Sequence, residues 1–382
     1  MSFPRTFFAS LIALALVLPA GLAQGASITT SAREAILMDA TTGAVLMSKD
    51  PDMPMPPASM SKIMTAYMVF EALKDGRLSL EDKLLVSEKA WRKGGSKMYV
   101  EVGKEAVVED LIRGVVVQSG NDACIVLAEG LSGSEEAFAE AMTEKARELG
   151  LENSTFANAT GWPDPNHRMT ARDLAKLAIL TIENFPEYYP YYSETTFTYS
   201  DIRQGNRNPL LYKSVGADGL KTGHTEEAGY GLTASAVQGD RRLVLVVNGL
   251  ESIKARAEES QRLMSWGFRE FNNYALAKAG ETVEQAPVWL GDQPSVPLVV
   301  AEDVVLTLPR KARKEMTVKI VYEAPIPAPI TEGQQVAKLI VEAPEEQTRE
   351  IPLVAGASVE LLGPVGRLVS GVKYLVFGGP GL

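Results

Sequence analysis

Pro57-Ala58-Ser59-Met60-Ser61-Lys62-Ile63-Met64-Thr65 decides how this chain is read. Spaced apolar residues from Ser59 to Lys74 predict a helix that opens directly after Pro56-Pro57. Residues three apart share one face of a helix. The Ser59 hydroxyl and the Lys62 amine are therefore expected within reach of each other. A serine hydroxyl is a poor nucleophile until a neighbouring base removes its proton. Lys62 is such a base only when neutral, a state that other nearby cations favour. The start of a helix adds a positive field for developing negative charge.

Two more short motifs follow in order, Ser119-Gly120-Asn121 and Lys221-Thr222-Gly223. Taken singly each is weak. Ser-x-x-Lys occurs on solvated helix faces, Ser-Gly-Asn is an ordinary turn, and Lys-Thr-Gly is an ordinary loop. Together they describe one site. Ser119 can relay a proton to a leaving amine, and Asn121 can hydrogen-bond a substrate amide. Lys221-Thr222-Gly223 precedes the apolar run Leu232–Val237 and reads as a strand edge. Gly223 would let an extended peptide approach and pair as an added strand. Backbone N–H groups near Ser59 and on that edge would form an oxyanion hole.

Outward from these motifs, residues 30–270 mix helix and strand signals. Ala35–Asp39 and Ala44–Leu46 read as two strands joined at Thr42-Gly43. Glu109–Leu131 reads as apolar helix and loop, Glu135–Leu149 as an amphipathic helix stopped by Gly150, and Thr170–Ile182 as a helix capped by Thr170. Leu232–Val237 and Leu243–Val247 read as neighbouring strands joined at Gly239-Asp240, and Gly267-Phe268 follows a last helix. Near Ala275 the helical periodicity stops. Val-rich runs at 297–300, 304–308, 316–322 and 336–342 predict a small all-β domain. From Leu361 apolar residues return to helical spacing, with Arg367 and Lys373 as the only charges. Such a cationic amphipathic tail lies in a membrane interface. A frayed tail or a helix docked on the β domain is the other reading, and Gly363, Pro364, Gly366 and Gly371 weaken the helix.

The ends and the composition bound the setting. Arg5, the apolar run Phe7–Leu18 and the small residues up to Ala26 form a secretory signal segment. As an uncleaved anchor the run would be short for a bilayer. The expected division is residues 1–25 signal peptide, 26–272 catalytic domain, 273–357 all-β domain and 358–382 membrane-anchoring tail. The net charge of -10 argues against nucleic acid as a partner. Cys124 is the one cysteine, so no intramolecular disulfide forms, and its apolar surroundings read as burial. His167 and His224 lack metal-ligand spacing, so no metal or other cofactor is expected.

The three motifs in this order are those of penicillin-binding proteins and class A β-lactamases. The sequence resembles the low-molecular-mass penicillin-binding proteins that act as D-alanyl-D-alanine carboxypeptidases, from about residue 30 to the end and most closely before residue 270. The stretches that carry the likeness are Pro57–Thr65, Gln118–Cys124, Asn206-Arg207-Asn208, Asp218–Thr225 and Leu263–Phe268. The resemblance implies an α/β (α+β) β-lactamase/transpeptidase-like catalytic domain, an all-β domain and a C-terminal amphipathic helix on the outer face of the cytoplasmic membrane. It implies Ser59 as acylated nucleophile and Lys62 as base. Ser119, Asn121, Lys221, Thr222, Gly223 and His224 would line the site. Peptidoglycan stem peptides would be the substrate and β-lactam antibiotics covalent inhibitors. Arg207 and Arg256 match family arginines near the substrate carboxylate. Read from the residues alone, Arg207 equally fits a surface turn and Arg256 a solvated helix face. The run Arg92–Lys97 is shorter than the best-known members' loop beside the site, which leaves deacylation rate and substrate preference open. A class A β-lactamase carries Asp at the Gly120 position and uses a glutamate for deacylation. Neither Glu152 nor Glu183 has that context. A non-catalytic wall-binding scaffold is the remaining reading.

Overall fold

The computed structural model describes residues 28–344 and 347–377. The expected signal peptide, residues 1–25, lies outside the described residues. The first part of the chain runs β1 (Glu34–Asp39), β2 (Val45–Lys49), α1 (Lys62–Lys74), β3 (Lys83–Leu85), α2 (Glu88–Arg92), β4 (Glu105–Val107), α3 (Val108–Val116), α4 (Asn121–Ser132), α5 (Glu135–Glu148) and α6 (Ala171–Asn184). It continues through β5 (Thr196–Tyr199), β6 (Ile202–Gly205), β7 (Ala217–Thr225), β8 (Gly229–Gln238), β9 (Arg241–Leu250) and α7 (Ile253–Glu270).

One antiparallel sheet, ordered β2-β1-β9-β8-β7, carries this part. Side chains alternate faces along a strand. Ile36, Met38, Val244 and Val246 enter the core shared with α1, α3, α4 and α6. Ala35, Leu37, Leu245 and Val247 pack with Leu263, Met264 and Phe268 of α7. Both faces are covered, so the central strands read as continuous apolar runs. β7 stands at the sheet's edge.

The expected helices and strands of this part form, with three differences. The Ser59 helix opens with a 3-10 turn, Ala58–Ser61. Glu109–Leu131 splits into α3 and α4, because the Gln118–Gly120 stretch turns the chain. Gly267 and Phe268 lie inside α7, which runs to Glu270 and buries both against the sheet. Thr170 caps α6 as expected, its side chain accepting from Asp173 N at 3.0 Å.

The second part is all β. It comprises β10 (Phe271–Ala277), β11 (Thr282–Trp289), β12 (Ser295–Val300), β13 (Val304–Pro309), β14 (Thr317–Val321), β15 (Ile326–Pro327), β16 (Gln335–Glu342) and β17 (Arg349–Ala355). A sheet ordered β14-β16-β17-β12-β11-β15 packs with the β10-β13 pair around Val296, Leu298, Leu306, Leu339 and Leu353. Val359 and Leu361 still pair with Ile330 and Gly291, and α8 (Pro364–Phe377) follows. Among the described residues, no helix is long and apolar enough to cross a membrane.

A polar seam joins the two parts. Asp39 is fully buried and meets Arg241 at 2.7 Å. Asp39 also accepts from Asn273, whose amide oxygen accepts from Thr307 at 2.8 Å, and Thr307 meets Thr42.

Candidate active site

A 3-10 turn has three residues per turn, so side chains at i and i+3 eclipse. Ser59 and Lys62 do so here, with Lys62 Nζ 2.9 Å from Ser59 Oγ. The contact expected from helical spacing is made by the tighter turn. Ala58 begins it with a left-handed φ of 48°. Its carbonyl presses on Gly161, where any Cβ would overlap that oxygen.

Lys62 is 1% exposed. Its amine also reaches Asn121 Oδ1 at 2.8 Å and Thr160 O at 2.5 Å. An ammonium has three donors, and the neutral amine exchanges one for a lone pair. Asn121 and Thr160 can only accept at these atoms. They take the two donors of the neutral amine and leave its lone pair for the Ser59 proton. Burial lowers the Lys62 pKa to about 8; Cys124 opposes this, and the charges of Arg207 and Lys93 add to it. Burial therefore enlarges the neutral fraction of this amine near neutral pH.

Ser119 and Asn121 arrive from the turn between α3 and α4. Ser119 holds φ at 70°, is 2% exposed, and its Oγ has no hydrogen-bond partner among the described residues. A left-handed non-glycine residue costs about 1–2 kcal/mol. Strain together with an unpartnered buried hydroxyl is what a position kept for function carries, and it fits the expected site role of Ser119. Asn121 is held from outside the cleft by the short loop after α2. Its Nδ2 donates to Gly94 O at 2.8 Å, and its backbone N donates to Ser96 O at 2.7 Å. Asp122 fastens that loop. Its carboxylate accepts from the backbone N–H groups of Met98, Tyr99 and Val100. A Cβ at Gly120 would lie 2.9 Å from Asp122 Oδ1 and 3.2 Å from Met98 N. The glycine of this motif, where a class A enzyme carries Asp, is thus imposed by the loop packed over it.

Lys221, Thr222 and Gly223 lie on β7, and all three are buried. Lys221 is held well below its ordinary pKa, first by burial and then by the charge of Lys62. Gly223 also has a packing reason. A Cβ there would meet Pro57 O at 2.7 Å and Ala58 Cβ at 3.2 Å. The glycine lets β7 press on the turn that carries Ser59. His224 is exposed at the end of the edge and stacks on Tyr230, with ring centroids 3.9 Å apart.

The two arginines sit differently in the structure. Arg256 is 6% exposed and packs its guanidinium over Tyr230, 5.7 Å from the ring centroid. It is not a solvated helix charge, and burial lowers its pKa to about 10. Arg207 projects from its turn across to Ser96 Oγ at 2.5 Å. Arg168, Arg172, Arg241 and Arg242, on surrounding elements, each meet a carboxylate. Lys62, Lys221, Arg207 and Arg256 form no ion pair among the described residues. Among the described residues, no carboxylate pairs with the basic groups of the cleft. Trp162 completes the rim, with Lys93 Nζ 4.6 Å from its ring centroid.

Sequence reasoning missed Thr160, Asp122 and Trp162. Thr160 acts through its carbonyl, so its side chain carries no signal. Asp122 works through backbone amides of a loop distant in sequence. The spacing of Trp162 shows nothing until the cleft closes beside it.

The comparisons agree with this geometry. Residues 22–252 match the family model described as D-alanyl-D-alanine carboxypeptidase, and residues 271–361 match the C-terminal domain of penicillin-binding protein 5. The chain is 40% identical over 348 residues to the D-alanyl-D-alanine carboxypeptidase DacC of Escherichia coli, covering 89% of this chain and 87% of that protein. Penicillin-binding protein 5 from Haemophilus influenzae superposes with a TM-score of 0.79 at 36% identity, over 87% of this chain and 98% of that one. Penicillin-binding protein D2 from Listeria monocytogenes, in an ampicillin-bound form, superposes with a TM-score of 0.58 at 32% identity, over 63% of this chain and 99% of that one. With a serine and an enclosed lysine in contact at the foot of a cationic cleft, and an all-β domain behind it, this chain belongs to the D-alanyl-D-alanine carboxypeptidase family.

Proposed function

We propose that the chain removes the terminal D-alanine from peptidoglycan stem peptides through an acyl-enzyme on Ser59. Neutral Lys62 takes the hydroxyl proton, and Ser59 Oγ attacks the carbonyl carbon of the scissile D-Ala-D-Ala bond. The C–N bond breaks, and the departing amine receives a proton through Ser119. Water then attacks the ester, returning Ser59 and the shortened peptide. Asn121 and the β7 edge hold the peptide, and Lys221, Thr222, His224, Arg207 and Arg256 receive its terminal carboxylate. A β-lactam enters by the same attack on its ring amide.

One observation supports this reading above the others: besides the base Lys62, three basic side chains, Lys221, Arg207 and Arg256, gather at the cleft without a carboxylate partner among the described residues. A free carboxylate beside the scissile bond supplies that partner, and an internal bond does not. The test is product analysis on a pentapeptide ending in D-Ala-D-Ala, beside its C-terminal amide. Release of free D-alanine, with the amide cleaved about tenfold more slowly or worse, is expected. Equal rates on both would make the enzyme a general D,D-peptidase or endopeptidase. Ser59→Ala should fold and fail to label with a fluorescent penicillin.

The proposed setting is the periplasm, with residues 1–25 removed on export and α8, which follows the last β-domain pairing at Leu361, on the outer face of the cytoplasmic membrane. α8 supports this with exposed Val365, Leu368 and Leu375. At about 1.5 Å per residue it suits lying in an interface and is too short to span one. Truncation before Pro364 should release active enzyme into the soluble fraction. A truncated protein that still sediments with membranes would remove the tail as anchor.

A further inference from the structure

Arg207 sits on an exposed turn, yet both its neighbours are buried. Asn206 is 7% exposed and Asn208 is 1% exposed. Asn206 Nδ2 donates to Glu194 O at 3.0 Å, and Asn206 Oδ1 accepts from Asn208 N at 2.9 Å. Asn208 uses both ends of its amide. Its Oδ1 accepts from Leu210 N at 3.0 Å, capping the turn that follows, and its Nδ2 donates to Gly219 O at 2.7 Å. Gly219 lies on β7, two residues before Lys221. Strand residues advance about 3.3 Å each, which places this bond within about 7 Å of Lys221 along the backbone. The turn bearing one cation is thus tied to the strand bearing another.

We propose that Asn208 is a positioning residue, which fixes the spacing between Arg207 and the Lys221-Thr222-Gly223 edge and so sets how well a terminal carboxylate is held. This rests on the carboxylate reading above. The two bonds use separate atoms of one amide, Oδ1 accepting from Leu210 N and Nδ2 donating to Gly219 O, a span that a single hydroxyl oxygen does not offer. Without the second bond the turn keeps its cap but loses its link to the strand. The Arg207 guanidinium, whose one hydrogen bond among the described residues goes to Ser96, then shifts relative to Lys221.

The test uses the full chain and two substrates, a peptide acid ending in D-Ala-D-Ala and its C-terminal amide. Asn208→Ser keeps a hydroxyl short enough to cap Leu210 N but unable to reach Gly219 O. It should lower the acid-to-amide ratio of kcat/KM about tenfold, mainly through KM on the acid, with the amide rate held within about twofold. Asn208→Ala should lower the ratio at least as far. In an Arg207→Ala background, where the ratio has already fallen, Asn208→Ser should change it no further. Equal losses on acid and amide would overturn the proposal, because a merely structural role moves both. An independent, additive loss in the Arg207→Ala background would overturn it too. A wild-type ratio near one would remove the carboxylate reading itself, and with it this role for Asn208.

Discussion

The enclosed amine of Lys62 makes a quantitative prediction about pH. With its pKa lowered from 10.5 to about 8, roughly one molecule in ten carries a neutral Lys62 at pH 7. At the ordinary value the fraction would be roughly one in 3000, so burial enlarges the reactive population about 300-fold. Acylation of free enzyme should therefore rise about tenfold per unit at low pH and level off above pH 8. Between pH 6 and pH 9 the total gain should be about 90-fold. Lys221 complicates the upper end, because it too is held below its ordinary pKa and must stay charged to hold an anion. Loss of its proton would produce a descending limb. Lys221→Arg keeps the charge at all working pH values, so it should remove that limb and leave the ascending one in place. The measurement is the second-order acylation rate with a fluorescent penicillin by stopped flow, in buffers of constant ionic strength. A flat profile from pH 6 to 9 would refute the assignment of Lys62 as base. An ascending limb still climbing at pH 10 would fit a lysine base of ordinary pKa and would refute its lowering by burial.

Three further outcomes follow from particular contacts. Ser119→Gly relieves the left-handed strain at φ 70° and deletes a hydroxyl that bonds to nothing among the described residues; thermal unfolding should show a gain of about 1 kcal/mol while β-lactam acylation falls at least tenfold. Gly120→Asp, which copies the class A middle motif, should lower stability by about 3 kcal/mol or more and should not raise β-lactam turnover, because the new Cβ meets Asp122 and Met98. Asp39→Asn leaves Arg241 buried without its carboxylate and should cost about 3–5 kcal/mol in urea unfolding, with a wild-type acylation rate in the folded protein.

Much of this protein was legible in its sequence, because the decisive signals were local. Ser59 and Lys62 are three residues apart, and any helical turn brings them together. The apolar strands of the main sheet, the cap at Thr170 and the change to Val-rich runs are each written within a few residues. Where the sequence left a choice open, the deciding contact came from far along the chain. The packing of Gly223 on Pro57 and Ala58 joins segments more than 160 positions apart. Arg256 fitted a site residue or a solvated charge between Lys254 and Glu258, and it is buried against Tyr230.

By itself the sequence determined the kind of chemistry, since a serine, a lysine, an asparagine and a strand-edge lysine in motif order carry it wherever they converge. Only the tertiary structure decided the enclosure of the lysine on which its proposed role as base rests. Its neutral form depends on enclosure, on two acceptors supplied by Asn121 and the Thr160 carbonyl, and on cations from Arg207 and Lys93. Desolvation and charge are properties of a volume, and residues more than 140 positions apart in the chain fill that volume together.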